Sequence, residues 1–419
     1  MSPTERKQPI LPSHFYSLDA LRGVAALAIV FWHWQHFFYR GVEKPQFDPI
    51  RQPLYSVFKP LYTDGWRAVD LFFCLSGFIF FWLYSEKIST RATSLKTFFV
   101  LRFSRLYPLH FLTLLLVAAG QFLMLRIQGE FFVYPCNDLR HFALQTVFAS
   151  GWGLERGYSF NGPIWSVSVE VLCYAAFFLI CLLRCKRWWQ LILFMVGGYY
   201  LQRTGLSDPG RGLSSFFVGG LAFQVFRYVA RFDLPRMALL CLGVFTASLW
   251  FIIPYNSGHN IIYGFYRDHI WSQHLSIHGK DYFGAALLIA SPYWFELALY
   301  PITIMTLALW ETHRGTLGKR LAFLGHMSYA SYLWHFPLQM VFLGAVQSLS
   351  NQREFFYTPL SLLLFYAVLI PVSLCSYRYF ELPCQSRIRE WVFRNRGLAA
   401  EAGDRKDRDV RVKGTGDPA

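Results

Sequence analysis

The stretch SLDALRGVAALAIVFWHWQHFF, residues 17–38, decides the fold class. Its apolar residues form a nearly continuous block, whereas an amphipathic helix on a soluble core alternates an apolar and a polar face. A helix needs about 20 predominantly apolar residues to cross the hydrocarbon core of a bilayer, and this stretch supplies them. A similar block, FLTLLLVAAG, stands at residues 111–120. The pattern predicts membrane-spanning helices.

The composition of the whole chain agrees with this reading. Of its 419 residues 54% are hydrophobic and 16% are charged, against roughly 25% charged in an average soluble domain. Aromatic residues are abundant, with 42 Phe, 24 Tyr and 14 Trp. This balance excludes a disordered chain, a small secreted scaffold and a water-soluble enzyme of this size.

Ten segments are candidate spans. The segment 283–310 carries Pro292 and Pro301, which predict a kink or a division into two elements, and the segment 188–203 is short. We therefore expect an all-α, polytopic membrane protein of about ten transmembrane helices. The candidates are 18–39, 66–85, 104–125, 163–183, 188–203, 213–228, 236–254, 283–310, 325–347 and 357–379.

The net charge of +15 is a topology signal. With these spans, 27 of the 40 Lys and Arg residues fall on the side of the N-terminus and 13 on the other side. The positive-inside rule then predicts that both termini are cytoplasmic, and no nucleic-acid partner is needed to explain the charge. We expect a short N-terminal segment (1–13), a transmembrane domain (14–382) and a polar, disordered cytoplasmic tail (383–419).

The first span contains two ionisable residues that a membrane disfavours, Arg22 and His33. They are eleven positions apart, so they share one helix face at a separation of roughly 16.5 Å. We interpret them as lining one groove, with Arg22 near the inner surface. A snorkelling Arg22 and a hydrogen-bonded core His33 remain as the alternative. His36 lies near His33, but we find no third ligand and expect no metal site.

Arg102 and Arg105 stand three apart at the inner start of the third span and share a face. Arginine is common at inner helix ends, which leaves a bland alternative open. Together with Arg22 they would form a site for a polyanion, because guanidinium groups bind phosphate through two hydrogen bonds.

Three further ionisable residues are predicted nearer the middle and outer half of the membrane: Asp70, Glu170 and His335. Each has a structural alternative: Asp70 could pair with Arg67, Glu170 could tie helices together, and His335 could bind the hydroxyl of Ser331. The expected layout has two ends. The inner end holds Arg22, Arg102 and Arg105, and the other end holds His33, Asp70, Glu170 and His335.

This layout suits a donor with an anionic handle and a long flexible arm, as in coenzyme A thioesters. Transfer of an acyl group to a sugar hydroxyl needs a general base, because an alcohol is a poor nucleophile unaided. Histidine has a free pKa of about 6.5 and provides a neutral base at pH 7. Glu170 or Asp70 could orient the ring of His33.

The sequence resembles the membrane acyltransferase 3 family over about residues 14–382. Five motifs occur in the expected order: SLDALRGVAALAIVFWH with Asp19, Arg22, Gly23 and His33; VDLFFCLSGF with Asp70, Ser76 and Gly77; LRFSRLYPLH with Arg102, Arg105 and Pro108; WSVSVE with Trp165, Ser166 and Glu170; and SYASYLWHFP with Ser328, Tyr332 and His335.

The resemblance implies an enzyme that moves acyl groups, often acetyl, from acyl-coenzyme A to saccharides or other hydroxylated acceptors in the bacterial cytoplasmic membrane. It implies that His33 is catalytic and that Arg102 and Arg105 act on the donor, with acyl-coenzyme A as co-substrate and no tightly bound cofactor. The expected supporting or acceptor-side residues are Asp19, Trp165, Ser166, Ser328, Tyr332 and His335.

Many relatives carry an appended extracytoplasmic hydrolase-like domain, whereas this sequence ends in a short polar segment. We therefore expect the protein to act alone or with a separate envelope partner. Two other classes stay open: a proton-coupled secondary transporter, because buried His and Glu also form proton relays, and an export component of an envelope polysaccharide system. The lack of a detectable internal repeat argues against the transporter.

Overall fold

The computed structural model describes residues 11–39, 41, 43, 47–271, 282–346 and 352–394. These residues form helices and no strand, which confirms the all-α class. The helices are α1 (Tyr16–His33), α2 (Tyr55–Asp64), α3 (Ala68–Leu83), α4 (Ser85–Ser89), α5 (Leu95–Gln128), α6 (Leu139–Thr146), α7 (Trp165–Leu182), α8 (Trp188–Arg203), α9 (Ser207–Val229), α10 (Arg236–His259), α11 (Ile261–Tyr266), α12 (Tyr282–Ala290), α13 (Tyr300–Arg314), α14 (Ala322–Ala345), α15 (Gln352–Phe355), α16 (Pro359–Cys375) and α17 (Leu382–Phe393).

Five stretches of the described chain are long and apolar enough to cross a membrane. They identify an integral membrane protein, while the count of ten spans and the cytoplasmic position of both termini stay predictions. Residues 1–10 and 395–419, which hold most of the two predicted terminal segments, lie outside the described residues. The five stretches are Tyr55–Leu83, Leu95–Gln128, Gly162–Leu182, Arg236–Ser257 and Pro359–Phe393.

The segment 283–310 is divided, as its two prolines suggest. Helix α12 is followed by a 3-10 turn at Ser291–Tyr293 and a π-helix at Phe295–Leu299 before α13 begins. Helix α5 begins at Leu95, nine residues before the predicted start of the third span, so that the predicted span 104–125 lies within a helix of 34 residues. Ser94 caps this helix through a hydrogen bond of 3.2 Å from the Thr97 amide to the Ser94 hydroxyl.

The prediction of a disordered tail is wrong for residues 383–393, which form most of α17. This helix is anchored to α5 by Arg389, whose guanidinium donates to Ser104 Oγ and to the Leu101 carbonyl, both at 3.2 Å. The polar composition of the segment reflects this side-chain contact with α5. Helix α17 therefore packs beside the two arginines of the LRFSRLYPLH motif.

Phenylalanine dominates the packed interior. One apolar cluster joins α3, α7 and α9 and includes Phe78, Phe177 and Phe216. A second cluster surrounds the end of α1 and includes Trp34 and Phe336. The site described below lies where these two clusters adjoin.

Helices α3 and α9 cross with their backbones in contact at two glycines, Gly77 and Gly219. A methyl group on Gly219 would overlap the carbonyl oxygen of Cys74, and one on Gly77 would overlap the carbonyl oxygen of Phe216. Small residues permit this approach, which is a common way for helices to pack where lipid removes the hydrophobic drive. Helix α3 thereby has a fixed position, and it forms one wall of the site.

Replacing Gly219 with alanine should therefore destabilise the protein by about 1–3 kcal/mol, the usual cost of overpacking. Gly197→Ala on α8 is the matched control, because a methyl group there meets no atom within 4 Å. Thermal unfolding of both variants in the same detergent checks the prediction. Equal melting temperatures for the two variants would contradict the close crossing.

Helix α1, which carries Arg22 and His33, is held at its side and at its beginning. Gly23 packs directly on the backbone of Leu324, and Gly325 packs on the backbone of Asp19, so that α1 and α14 lie in close contact. At the beginning of α1 the buried carboxylate of Glu311 accepts hydrogen bonds of 2.9 Å from the amides of Tyr16 and Ser17. It replaces a local cap, because free amides at a helix start favour an anionic partner.

Candidate active site

A cavity of about 110 Å³ lies between α1, α3, α5, α7 and α14. Its wall on α3 extends from Val69 to Phe80, eleven positions or about 16 Å along the helix. The lining brings together seven of the site residues expected from the sequence, namely Arg22, Arg102, Arg105, Ser166, Glu170, Ser328 and Tyr332. Ser76 and Tyr174 are further polar members, and the remaining lining residues are mostly apolar.

Arg22 lines the cavity, and hydrogen bonds fix its orientation. Its Nε donates to Ser328 Oγ at 3.1 Å, and its Nη2 donates to the Gly325 carbonyl at 2.9 Å and lies 3.0 Å from Asp19 Oδ1. Asp19 also accepts a hydrogen bond of 2.6 Å from His14. Asp19 and Ser328 thus orient Arg22, and Nη1 has no partner among the described residues.

Arg102 and Arg105 reach the same cavity from α5, as their spacing suggested. Arg102 lies over the rings of Phe80 and Tyr84, at 5.0 and 4.9 Å from their centroids, and donates to the Tyr84 hydroxyl. Its buried Nε has no partner within the described part of the chain. Arg105 makes no hydrogen bond or ion pair with any described residue. Three guanidinium groups therefore line one cavity with donors left over.

Glu170 belongs to this cavity and is not in contact with the histidines. Its carboxylate accepts a hydrogen bond of 2.6 Å from Ser76 Oγ across the cavity wall. The sequence grouped Glu170 with His33 by depth alone. Glu170 lies on the side of α7 that faces the space shared with Arg22, Arg102 and Arg105, so its neighbours are these arginines. It supplies one negative charge among three positive ones.

Tyr332 separates the cavity from the histidines. Its hydroxyl donates to the Pro163 carbonyl at 2.7 Å and shares a hydrogen bond of 2.7 Å with Ser166 Oγ. Its backbone carbonyl accepts a hydrogen bond of 2.6 Å from Nδ1 of His335, one turn further along α14. One side of Tyr332 therefore lines the cavity, and its backbone orients a histidine.

His33 and His335 stack face to face. Their ring centroids are 4.8 Å apart with an angle of 6° between the planes, and the His36 ring also stacks with His33, at 4.8 Å and 27°. Since the Tyr332 carbonyl can only accept, His335 carries its proton on Nδ1 and presents Nε2 as an acceptor. This Nε2 and the Nδ1 of His33 are buried and have no partner among the described atoms.

The motif WHFP explains part of the geometry around the histidines. Pro337 has no amide hydrogen, so the carbonyl of Leu333 lacks its helical partner. Asn161 donates to that carbonyl at 3.2 Å. The other amide atom, Asn161 Oδ1, is buried and unpartnered in the described structure. Unpartnered polar atoms of His33, His335 and Asn161 thus occur together.

Gln339 is a site residue that the sequence analysis missed. Its amide donates to the His33 carbonyl at 2.8 Å, and its oxygen lies 3.0 Å from Nδ1 of His36. It follows His335 by four positions and so lies on the same face of α14. That spacing is the signal that could have identified it. No group of three His, Cys, Asp or Glu residues in the described chain could hold a metal ion.

Asp70 makes a different contact from those expected. Both carboxylate oxygens accept from Arg211 of α9, at 2.5 and 2.9 Å, and Asp70 is fully buried. Arg67 pairs instead with Asp64 at 3.1 Å, so the Asp70–Arg67 alternative is wrong. Because Arg211 occupies both oxygens, no contact in the described structure supports orientation of His33 by Asp70. Trp165 packs against the Arg211 guanidinium at 5.4 Å.

Known proteins share parts of this sequence. Protein 2 in the picA locus of Rhizobium radiobacter is 39% identical over 128 residues, which are 30% of this chain and 55% of that protein. A Staphylococcus aureus protein (strain COL), provisionally named an O-acetyltransferase, is 24% identical over 410 residues, 91% of this chain and 58% of its own. The acyltransferase MdmB of Streptomyces mycarofaciens is 30% identical over 166 residues, 38% of each chain.

The chain thus spans 55% and 58% of the length of the first two relatives. No solved structure matches it. The family described as an acyltransferase domain matches residues 15–378, which include all the helices that line the cavity and carry the histidines. This protein therefore belongs to the acyltransferase 3 family.

Proposed function

We propose that the protein is an integral-membrane O-acyltransferase of the bacterial cytoplasmic membrane. It moves an acyl group, acetyl in the simplest case, from acyl-coenzyme A to a hydroxyl of a saccharide or glycolipid. In this proposal His33 acts as a general base or as an acyl relay. The observation that carries the proposal is the cavity that extends from three arginines to Tyr332, beside stacked histidines with unpartnered nitrogens.

The arginine end is suited to the donor. Arg22, Arg102 and Arg105 provide charge-assisted hydrogen bonds for phosphates, and such bonds are about twice as strong as neutral ones. The apolar lining between them and Tyr332 suits a flexible arm that carries the thioester.

The histidine end is suited to proton transfer. As a base, His33 takes the proton of the acceptor hydroxyl while the hydroxyl oxygen attacks the thioester carbonyl. The carbon–sulfur bond then breaks, and the leaving thiolate receives the proton from the imidazolium. As a relay, the imidazole itself attacks the carbonyl, the carbon–sulfur bond breaks, and the thiolate leaves with the imidazole proton. The acceptor hydroxyl then attacks the acyl-imidazole and takes the acyl group, and its proton returns to the imidazole.

The experiment that tests the proposal follows labelled acetyl-coenzyme A. Protein reconstituted in nanodiscs should consume it, releasing coenzyme A, and should transfer the label to added saccharide. Proton-driven uptake of solute into proteoliposomes without loss of acetyl-coenzyme A would favour the transporter. Absence of both activities, with a folded protein, would favour an export component.

Arg105→Ala should weaken donor binding, because this guanidinium is free for a phosphate. Loss of a charge-assisted hydrogen bond costs on the order of 1.5–3 kcal/mol, or roughly 10- to 100-fold in the KM for acetyl-coenzyme A. Arg126→Ala is the matched control, since Arg126 is exposed near the other end of the same helix. An unchanged donor KM together with a raised acceptor KM would contradict the assignment of the arginines to the donor and indicate that they bind the acceptor.

A further inference from the structure

A group of aromatic side chains outside the cavity forms a series of contacts that reaches the histidines. We call it the aromatic collar, and it consists of Trp32, Trp66, Trp165, Tyr158, Tyr134 and His36, with Arg211 between Trp66 and Trp165. The successive distances, between ring centroids or from the guanidinium carbon, are 6.4 Å for Trp32–Trp66, 4.6 Å for Arg211–Trp66, 5.4 Å for Arg211–Trp165, 6.5 Å for Trp165–Tyr158, 6.1 Å for Tyr158–Tyr134 and 5.9 Å for Tyr134–His36.

The collar meets the histidines and the cavity at several points. Trp32 directly precedes His33 in the chain, and His36 stacks on His33, so both ends of the series belong to residues 32–36. Trp165 precedes Ser166, which lines the cavity and binds the Tyr332 hydroxyl. The collar therefore adjoins the histidine end of the cavity and is remote from the arginine end.

The collar has free surface and free donors. Trp32, Trp66, Trp165 and Tyr134 are partly exposed, and Tyr158 is 43% exposed. Within the described chain the indole N–H groups of Trp32, Trp66 and Trp165 make no hydrogen bond. Within the same described residues the indoles of Trp34, Trp152, Trp250 and Trp310 each donate to an oxygen. Those of Trp82, Trp188, Trp189, Trp294, Trp334 and Trp391 make no hydrogen bond there either. Trp and Tyr are generally enriched at membrane interfaces. In the collar, Trp32 contacts Trp66, and Trp165 meets Trp66 through Arg211, next to the histidine stack.

Arg211 gives the collar its shape. The bidentate bond to Asp70 fixes the guanidinium plane, and the Trp66 carbonyl accepts a further bond at 3.2 Å. The same guanidinium lies over the rings of Trp66 and Trp165. The guanidinium of Arg67 also lies over the Trp66 ring, 4.5 Å from its centroid, so that Trp66 offers its indole N–H and ring edge while Trp165 and the tyrosines offer ring faces. The ion pair thus sets the positions of two tryptophans that come from different parts of the chain.

We propose that the collar binds a pyranose ring of the acceptor and presents one of its hydroxyls to His33. Aromatic side chains offer an apolar face with a polar edge. A pyranose has the complementary surface, since its axial C–H groups can stack on a ring while its hydroxyls accept from the free indole N–H groups. A lipid acyl chain would leave those donors unpaired. This inference rests on the proposed function and specifies its acceptor site.

The test is saturation-transfer NMR on the full chain in nanodiscs, without acetyl-coenzyme A, using methyl glycosides of glucose, galactose, mannose and N-acetylglucosamine. At least one glycoside should receive saturation, strongest at the protons of its axial C–H face. Trp66→Ala should reduce that saturation at least fivefold. Trp391→Ala is the matched control, because Trp391 is 81% exposed on α17, and it should leave the signal unchanged.

Saturation of no glycoside, or equal saturation in Trp66→Ala and the parent protein, would overturn the acceptor site. Because this measurement needs no donor, it stands apart from the proposed reaction. If acetyl transfer to the bound glycoside is then measured, Trp66→Ala should raise the acceptor KM about tenfold and leave the donor KM unchanged. Binding without any consumption of acetyl-coenzyme A would refute the reaction and keep the saccharide site.

Discussion

His33→Ala is expected to lower acyl transfer by about 10²- to 10⁴-fold, the usual contribution of a positioned general base. This corresponds to about 3–5 kcal/mol in the activation free energy. The expectation rests on the partly exposed His33 ring, its unpartnered Nδ1 and its place beside the cavity. The rate is measured with labelled acetyl-coenzyme A under saturating donor, so that a change in donor binding does not contribute.

Two controls separate chemistry from folding. His110→Gln alters another buried histidine with an unpartnered Nδ1, which contacts Gln145 and Phe148 and not the histidine stack. It should retain transfer in whatever fraction of the protein folds. Added imidazole should restore part of the activity of His33→Ala, since a small base can enter the space that the ring leaves. Full activity in folded His33→Ala would exclude both roles assigned to this residue.

Asp70→Asn should lower the free energy of unfolding by about 3–5 kcal/mol, because it leaves the charge of Arg211 without its buried partner. The double variant Asp70→Leu/Arg211→Met should recover most of that stability, since replacing both charges of a buried pair by apolar groups is often close to neutral. Thermal unfolding of the single and double variants in the same detergent measures the difference.

The same variants distinguish a structural Asp70 from a catalytic one. If Asp70 oriented His33, Asp70→Asn would lose transfer at an unchanged melting temperature. With the observed Asp70–Arg211 pair we expect the opposite result: the melting temperature of Asp70→Asn falls, and the protein that remains folded still consumes the donor. The double variant should also disturb the aromatic collar, because Arg211 faces both Trp66 and Trp165.

Local spacing predicted the parts of the site that depend on a single helix. Arg102 and Arg105 share a face because three positions are nearly one turn, and both line the cavity. The eleven positions between Arg22 and His33 likewise place both toward α14, where Arg22 meets Ser328 and His33 meets His335. Helical periodicity alone fixes such relations.

Contacts between distant segments could not be read in this way. Asp70 was grouped with His33 by depth, but its partner Arg211 follows 141 positions later and approaches only because glycines let α3 and α9 touch. Glu170 was placed at a similar depth, yet it faces the arginine cavity. The spacing of Gln339 from His335 predicts a shared face of α14, but its contact with His33, 306 positions earlier, depends on how α1 packs. The depth of a residue in the membrane gives only its position along the membrane normal. Its position within the membrane plane depends on which helices pack together.

The hydrogen bonds from the first amides of α1 to the Glu311 carboxylate fix the position of the N-terminus of that helix. Because the helix rises by about 1.5 Å per residue, a fixed first turn also fixes the axial positions of Arg22 and His33. A single inserted residue between them would turn His33 by about 100° and shift it by about 1.5 Å, out of its stack on His335. We therefore infer that the length of this interval must stay constant.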